Sequence, residues 1–286
     1  MLNLQELIDD LVFDTKLKIC VHDISGILMN EKLKIRQENK IHFCDFCNMA
    51  KSTQKGYKLC LACKTLANSK AISAKTPFEG FCPWGIFEAV HPVVINGTVR
   101  CIVYVGNALP SDSAYNKCSA AATRITGVDS MALSHAKTTC DENTSCEKII
   151  GLSKIVSDFI VLLSEFYMYD KMPVPSAVNR VSNAAKEYAD LNFRQPLTLS
   201  SLSKMYFINE KYLGRIFKKT WGISFHEYLN ELRLNNASKL LRHGNMPITD
   251  VAFDSGFENV TYFNRLFRRR FGKTPTQYRE SFTQME

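Results

Sequence analysis

Apolar residues recur at two different periods along this 286-residue chain, and the change of period divides it. Leu4, Leu7, Ile8, Leu11 and Val12 sit at helical spacing, which predicts a short amphipathic helix over residues 2–13. Lys18 to Asn30 reads instead as strand, turn and strand, with Asp23-Ile24-Ser25-Gly26 as the turn. A helical, cysteine-rich stretch follows from His42 to about Ala74. Two β-branched runs, Gly85 to Ile95 and Thr98 to Val105, flank Asn96-Gly97. That dipeptide supplies the positive φ angles of a two-residue hairpin turn. Helical patterning resumes from about Ser113. Residues 1–146 are therefore expected to form an α+β domain with antiparallel strands and helices between them.

Ile149, Leu152, Val156, Phe159, Leu163 and Phe166 alternate three and four residues apart, the spacing of a coiled-coil seam. A stripe this short fits a helix packed on its own domain equally well. Residues 147–170 thus stand as either a dimerising connector or one more core helix. Lys171-Met172-Pro173-Val174-Pro175-Ser176 predicts a linker, because two prolines two apart deny both helix and ladder hydrogen bonds. Residues 177–286 carry helical patterning throughout and read as an all-α domain.

From Asn209 onward the sequence repeats itself at an offset of fifty residues. Asn209 meets Asn259, Tyr212 meets Tyr262, Arg215 meets Arg265 and Phe217 meets Phe267. Lys218-Lys219 then meets Arg268-Arg269, Gly222 meets Gly272, and Tyr228 meets Tyr278. Such a repeat is one supersecondary unit used twice. Each copy reads as a short helix, a tight turn, a second helix carrying cations, and a glycine stop. That is the layout of a helix-turn-helix, whose second helix enters the DNA major groove. Charge follows the repeat. From Ser176 onward there are 17 Lys/Arg against 10 Asp/Glu, whereas the first 175 residues carry 19 against 18. A basic excess confined to the repeat is the electrostatic footprint of a phosphate-binding surface.

Helical faces sort the residues into roles. Leu213, Ile216 and Phe217, with Phe263, Leu266 and Phe267, share one stripe and are expected in the core. Lys211, Gly214 and Arg215 in the first copy lie at the start of the second helix, as do Val260, Thr261, Asn264 and Arg265 in the second. Those positions point toward base edges. Arginine bonds guanine bidentately, asparagine does so to adenine, and valine and threonine methyls meet the thymine methyl. A salt bridge or phosphate clamp is the competing role for Arg215 and Arg265. Lys218, Lys219, Arg268, Arg269 and Arg270 lie toward the helix ends and are expected to meet phosphate or solvent.

These residues resemble the AraC/XylS family of bacterial transcription regulators over about the last 105 residues. Tyr212-Leu213-Gly214-Arg215-Ile216-Phe217-Lys218-Lys219 is similar to that family's first recognition helix. Ile248 through Gly256-Phe257-Glu258-Asn259 to Phe267 resembles its second motif, and Gly272-Lys273-Thr274-Pro275 its closing motif. Tyr206 stands where the second copy has its turn glycine.

All ten cysteines lie at or before Cys146. Cys44-x2-Cys47, twelve residues, then Cys60-x2-Cys63 is a regular four-thiol pattern, with Cys82 as a candidate fifth. Four thiolates suit Zn or an iron–sulfur cluster. Unliganded thiols in a core or pocket are the other reading, because cysteine is among the most buried residues. His22, His42 and His91 have no partner evident from sequence.

The stretch from about Leu4 to Phe166 resembles the PocR sensory domain. The likeness rests on the four cysteines, Phe81-Cys82-Pro83-Trp84-Gly85-Ile86, His91-Pro92-Val93 and Val103-Tyr104-Val105-Gly106-Asn107. It implies a PAS-like scaffold that senses a small organic compound, with Cys82, Trp84, Phe87, His91 and Tyr104 as candidate pocket walls.

The expected function is a DNA-binding transcription regulator answering to a small organic ligand or to a redox or metal signal. The alternative is a methyl-accepting DNA-alkylation repair protein with an AraC-type domain. Expected partners are operator DNA through its major groove, a small-molecule effector, a second copy of the chain, and RNA polymerase. No apolar run reaches the roughly 18 residues of a membrane span, and the N-terminus lacks a signal-peptide pattern. A cytoplasmic location is expected. No Gly-rich phosphate loop, HExxH motif or nucleophile–base pairing points to an enzyme.

Overall fold

The turn at Asn96-Gly97 closes the hairpin around which the first half of the chain is built. In the computed structural model these residues have φ of 51° and 71° and join β3 (Phe87–Ile95) to β4 (Thr98–Ala108). β1 (Lys18–Asp23) pairs with the other edge of β4, and β2 (Phe78–Phe81) with β3. The result is one antiparallel sheet ordered β1-β4-β3-β2. The structure describes residues 3–42, 44–109, 112–166, 177–206, 208–243 and 246–283. The chain divides into two units, Met1–Val181 and Ser182–Glu286.

Residues 24–30 do not form the second strand that their pattern predicts. The Asp23 carboxylate accepts the backbone N–H groups of Ser25, Gly26, Ile27 and Leu28. This winds the segment into a 3-10 turn at Ile27–Met29.

Strand alternation gives the sheet two different faces. Cys101, Val103 and Val105 of β4 join Ile19, Val21, Ala89 and Val93 in a cluster covered by α1 (Leu4–Val12) and α6 (Cys146–Phe166). Ile102 and Tyr104 of β4 face the other way, with Cys20 and Val90, toward α3 (Gln54–Ala74). A third cluster gathers Phe46 of α2 (Asp45–Ala50), Trp84, Tyr115 of α4 (Asp112–Thr126) and Leu133 of α5 (Ser130–Ala136).

The stripe packs inside this unit from Ile149 to Leu163, whereas Phe166 at its end is 74% exposed. Ile149, Leu152, Val156 and Ile160 are buried against the sheet, and Phe159 and Leu163 pack on the same cluster. Burying Ile149, Val156 and Ile160 alone contributes roughly 5–9 kcal/mol. The seam from Ile149 to Leu163 is therefore core of this unit. The expected linker, Lys171–Ser176, lies outside the described residues.

The second unit is helical: α7 (Ala177–Asn192), α8 (Leu199–Met205), α9 (Glu210–Trp221), α10 (Phe225–His243), α11 (Ile248–Asp254), α12 (Val260–Phe271) and α13 (Pro275–Thr283). Arg233 of α10 ties its parts together. Its guanidinium donates to the carbonyls of Phe193 at 2.7 Å and Gln195 at 2.8 Å, and lies 5.9 Å from the Phe257 ring centre.

Candidate functional site

The two helix-turn-helix copies, α8–α9 and α11–α12, share their local chemistry. Asn209 Oδ1 accepts the N–H of Tyr212 at 3.1 Å and starts α9, while Asn259 Oδ1 accepts that of Tyr262 at 2.8 Å and starts α12. Gly222 and Gly272 stop the two helices, each N–H bonding the carbonyl four residues back at 2.9 Å. The turns differ. Gly256 has φ of 89°, and a Cβ there would lie 2.7 Å from the Phe193 carbonyl oxygen. Tyr206 has φ of −95°, a value open to any residue, and its hydroxyl donates to the Ala184 carbonyl at 3.1 Å.

Leu213, Ile216 and Phe217, and likewise Phe263, Leu266 and Phe267, are buried as their spacing predicts. Their burial turns the opposite faces outward, which exposes Lys211, Arg215, Lys218 and Lys219 on α9. On α12 it exposes Thr261, Asn264, Arg265, Arg268 and Arg269. The Arg215 guanidinium lies 5.6 Å from the Tyr212 ring centre, and Arg265 lies 5.3 Å from Tyr262. Each tyrosine holds its arginine by the same cation–π contact. Three residues also make contacts within the protein. Val260 is half-buried and packs on the apolar cluster beneath α12. A Cβ on Gly214 would sit 3.0 Å from Leu199 Cδ2, so that position faces α8. Arg270, also exposed, pairs with Glu231 of α10 at 2.8 Å.

In the sheet unit, titratable groups gather on the face under α3. Glu88 Oε1 bonds His42 Nδ1 at 2.8 Å, and the Lys64 ammonium lies 3.6 Å from the same carboxylate and 2.6 Å from His42 Nε2. Lys64 also stands 3.4 Å over the Tyr104 ring. The Tyr104 hydroxyl donates to Asn68, and its ring centre lies 4.9 Å from that of His22. The His22 and His42 rings are 5.6 Å apart. Gly106 makes room for this: a Cβ there would lie 2.8 Å from Glu88 Cγ. Burial opposes charge on Glu88, but Lys64 and His42 outweigh it and hold the carboxyl well below the usual range. Burial and the Lys64 charge both push His22 and His42 down.

The predicted thiol cluster is placed differently. Among the described residues, Cys44, Cys47, Cys60 and Cys63 do not bring three donors within 4.8 Å of one another, whereas Cys20, His22 and His42 do. Cys44 caps α2, its sulfur accepting the Cys47 N–H at 3.3 Å, and it bonds Asn107 Oδ1 at 3.2 Å. The hydrogen bond from Cys47 lowers the Cys44 thiol pKa. Cys60 accepts the indole N–H of Trp84 at 3.2 Å, and burial pushes its pKa up to about 12. Asn107, at φ of 67°, also bonds Cys140 and donates to the Lys16 and Thr139 carbonyls.

The five candidate pocket walls do not converge. Tyr104 pairs with Val90 and lies under α3, whereas Phe87 belongs to the cluster on the α6 side. His91 is one residue from Val90 and therefore faces away from Tyr104. Trp84 and Cys82 sit in the third cluster with Phe46.

Comparison with known proteins bears on both units. The sensory domain found in PocR matches residues 1–165, more than half of the chain. The chain belongs to the PocR sensory-domain family. A helix-turn-helix domain, of AraC type, matches residues 202–281. YijO, an uncharacterized HTH-type transcriptional regulator of Escherichia coli, is 36% identical over 99 residues, which is 35% of this chain and 35% of that protein. AdaA of Bacillus subtilis, a bifunctional transcriptional activator/DNA repair enzyme, is 36% identical over 111 residues, or 39% of this chain and 51% of that protein. The chain thus spans about a third of the first relative and about half of the second. The C-terminal domain of AraT, a response regulator from Geobacillus stearothermophilus, is similar at 32% identity over 37% of this chain and 88% of that one, with a TM-score of 0.35. Among the described residues no helix is long and apolar enough to cross a membrane.

Within the PocR domain, sequence reading missed the grouping of Cys20, His22, His42, Lys64, Asn68, Glu88 and Tyr104. The signal that could have found part of it is the pair Cys20 and His22, at alternate positions on a strand whose opposite face carries the apolar Ile19 and Val21. The closure by His42 and Lys64 depends on how α2 and α3 dock, which no local pattern encodes.

Proposed function

We propose that the protein is a sequence-specific DNA-binding transcription regulator whose helical unit reads an operator and whose PocR domain receives the signal. One observation carries this reading. Two copies of the same cation-bearing helix each bury their apolar face and turn Arg215 and Arg265 outward in the same posture on a tyrosine. Lys211, Arg215, Thr261, Asn264 and Arg265 are the base-reading candidates, with Val260 supplying one methyl edge. Lys218, Lys219, Arg268 and Arg269 serve phosphate. The signal is a small organic ligand or a metal or redox change, and it acts by binding one arrangement of the protein better than another. Two copies on paired half-sites fit the usual design of such regulators.

The methyl-accepting repair reading has less support, because the Cys44, Cys47, Cys60 and Cys63 thiols do not gather three donors around one point among the described residues. Fluorescence anisotropy with duplex DNA at several salt concentrations tests the main reading. Binding that weakens linearly in log–log salt is expected, with a selected duplex bound at least a hundredfold tighter than random DNA. Equal affinity for all duplexes would reduce the helical unit to a nonspecific polycation.

A further inference from the structure

Cys20 and His22 stand two apart on β1 and share the sheet face under α3. His42 reaches the same spot from the segment before α2, and the three donor atoms lie within 4.8 Å of one another. We propose that Cys20, His22 and His42 form a binding site for a divalent cation of the zinc class.

The donor set fits that chemistry. One thiolate and two imidazoles suit a borderline-soft ion, whose bonds to sulfur and nitrogen are about 2.0–2.3 Å long. Three donors within 4.8 Å need only a small inward movement to meet them. The His42 ring is already oriented by an outer partner. Its Nδ1 bonds the Glu88 carboxylate at 2.8 Å, which turns Nε2 toward Lys64. A carboxylate behind a histidine is the usual support of a metal-ligating imidazole.

A cation already occupies the place. The Lys64 ammonium sits 2.6 Å from His42 Nε2, over the face of Tyr104 and beside Glu88. The surroundings therefore favour positive charge, and an incoming ion displaces Lys64 from the His42 lone pair. Binding replaces the Cys20 thiol proton, which leaves to solvent, while both imidazoles stay neutral. His42 and Lys64 are 20% and 15% exposed, so the site has a way in. Three protein ligands leave one coordination position for a water or a donor atom of an effector. The site uses none of the thiols of Cys44, Cys47, Cys60 and Cys63, and it stands whether or not the helical unit reads an operator.

Chelator-treated full-length protein, kept reduced, is titrated with Co2+ and followed by absorbance. One Co2+ per chain is expected, with thiolate-to-cobalt charge transfer and the visible bands of a tetrahedral ion. Cys20→Ser removes the charge-transfer band, His22→Gln weakens binding at least tenfold, and the double variant Cys44→Ser/Cys47→Ser keeps the band. Lys64→Met tightens Co2+ by about tenfold, because a like charge a few ångströms away is gone. A damaged fold would not produce that gain. Wild type that shows no charge transfer at stoichiometric Co2+ overturns the proposal. So does a band that survives Cys20→Ser, one lost from the double variant with its circular dichroism intact, or weaker binding in Lys64→Met.

Discussion

The two units place their chemistry in opposite layers. In the helical unit the interior is apolar, built on Phe263, Leu266, Phe267 and Tyr278, and the cations lie outside it. In the sheet unit the surface is nearly neutral in charge, and the reactive groups Cys20, His22, His42, Lys64 and Glu88 are gathered under α3. A surface of exposed arginines suits a large polyanion that need not be desolvated. A half-buried set of histidines and one ion pair suits a small guest that can be enclosed. The division of labour follows from where charge can be afforded.

Removing an aromatic from the helical core is the strongest way to break the contrast. Phe267 is fully buried and touches Phe263, Phe271 and Tyr278 at ring distances of 4.5 to 5.5 Å. Phe267→Ala should cost about 3–5 kcal/mol in the helical unit, measured by denaturant unfolding. A cost under about 1 kcal/mol would mean that this core does not hold the second recognition helix in place.

Arg265→Ala leaves that core alone and asks whether the surface specifies sequence. It should relax preference at one operator base pair by about 1–3 kcal/mol in competition binding. An equal loss on specific and random DNA would make Arg265 a phosphate contact.

Asp141 tests the buried layer of the sheet unit through pH. Its carboxylate accepts the N–H groups of Lys16 at 3.1 Å, Asn143 at 3.1 Å and Thr144 at 2.8 Å. Burial opposes its charge, but these bonds prevail and hold the carboxyl below the usual range. The native state then binds fewer protons than the unfolded chain near pH 4, so the contribution is complete above about 3.9 and fades as pH falls through the folded value. Asp141→Asn should cost about 1–2 kcal/mol at pH 7, with the gap to wild type closing below about pH 4. A gap that stays constant with pH would contradict this.

The smallest effect concerns phosphate. Lys218→Ala or Arg269→Ala should weaken all DNA alike and reduce the salt slope by about one. A change confined to one sequence would move these residues among the base readers.

How much of this was legible in sequence follows the same contrast. The helix-turn-helix pair could be read because its stripe, caps and glycine stops are local and occur twice, as Asn209/Asn259 and Gly222/Gly272 illustrate. The hairpin could be read because Asn96-Gly97 demands one kind of turn. The Cys20–His22–His42 grouping could not, since its members come from β1 and a separate segment, and its supports Lys64 and Glu88 lie further along the chain. Cysteine spacing drew attention to Cys44 and Cys60, yet Asn107 and Trp84 take up those two sulfurs. The stripe on α6 was ambiguous by nature, because packing on a sheet and packing on a second helix ask for the same spacing.

The most direct test of the central claim is selection of duplexes from a random library by the purified full-length protein, repeated with Arg215→Ala and Arg265→Ala. The account predicts an enriched motif whose base preferences relax at different positions in the two variants. No enrichment, or a motif indifferent to both substitutions, would contradict it.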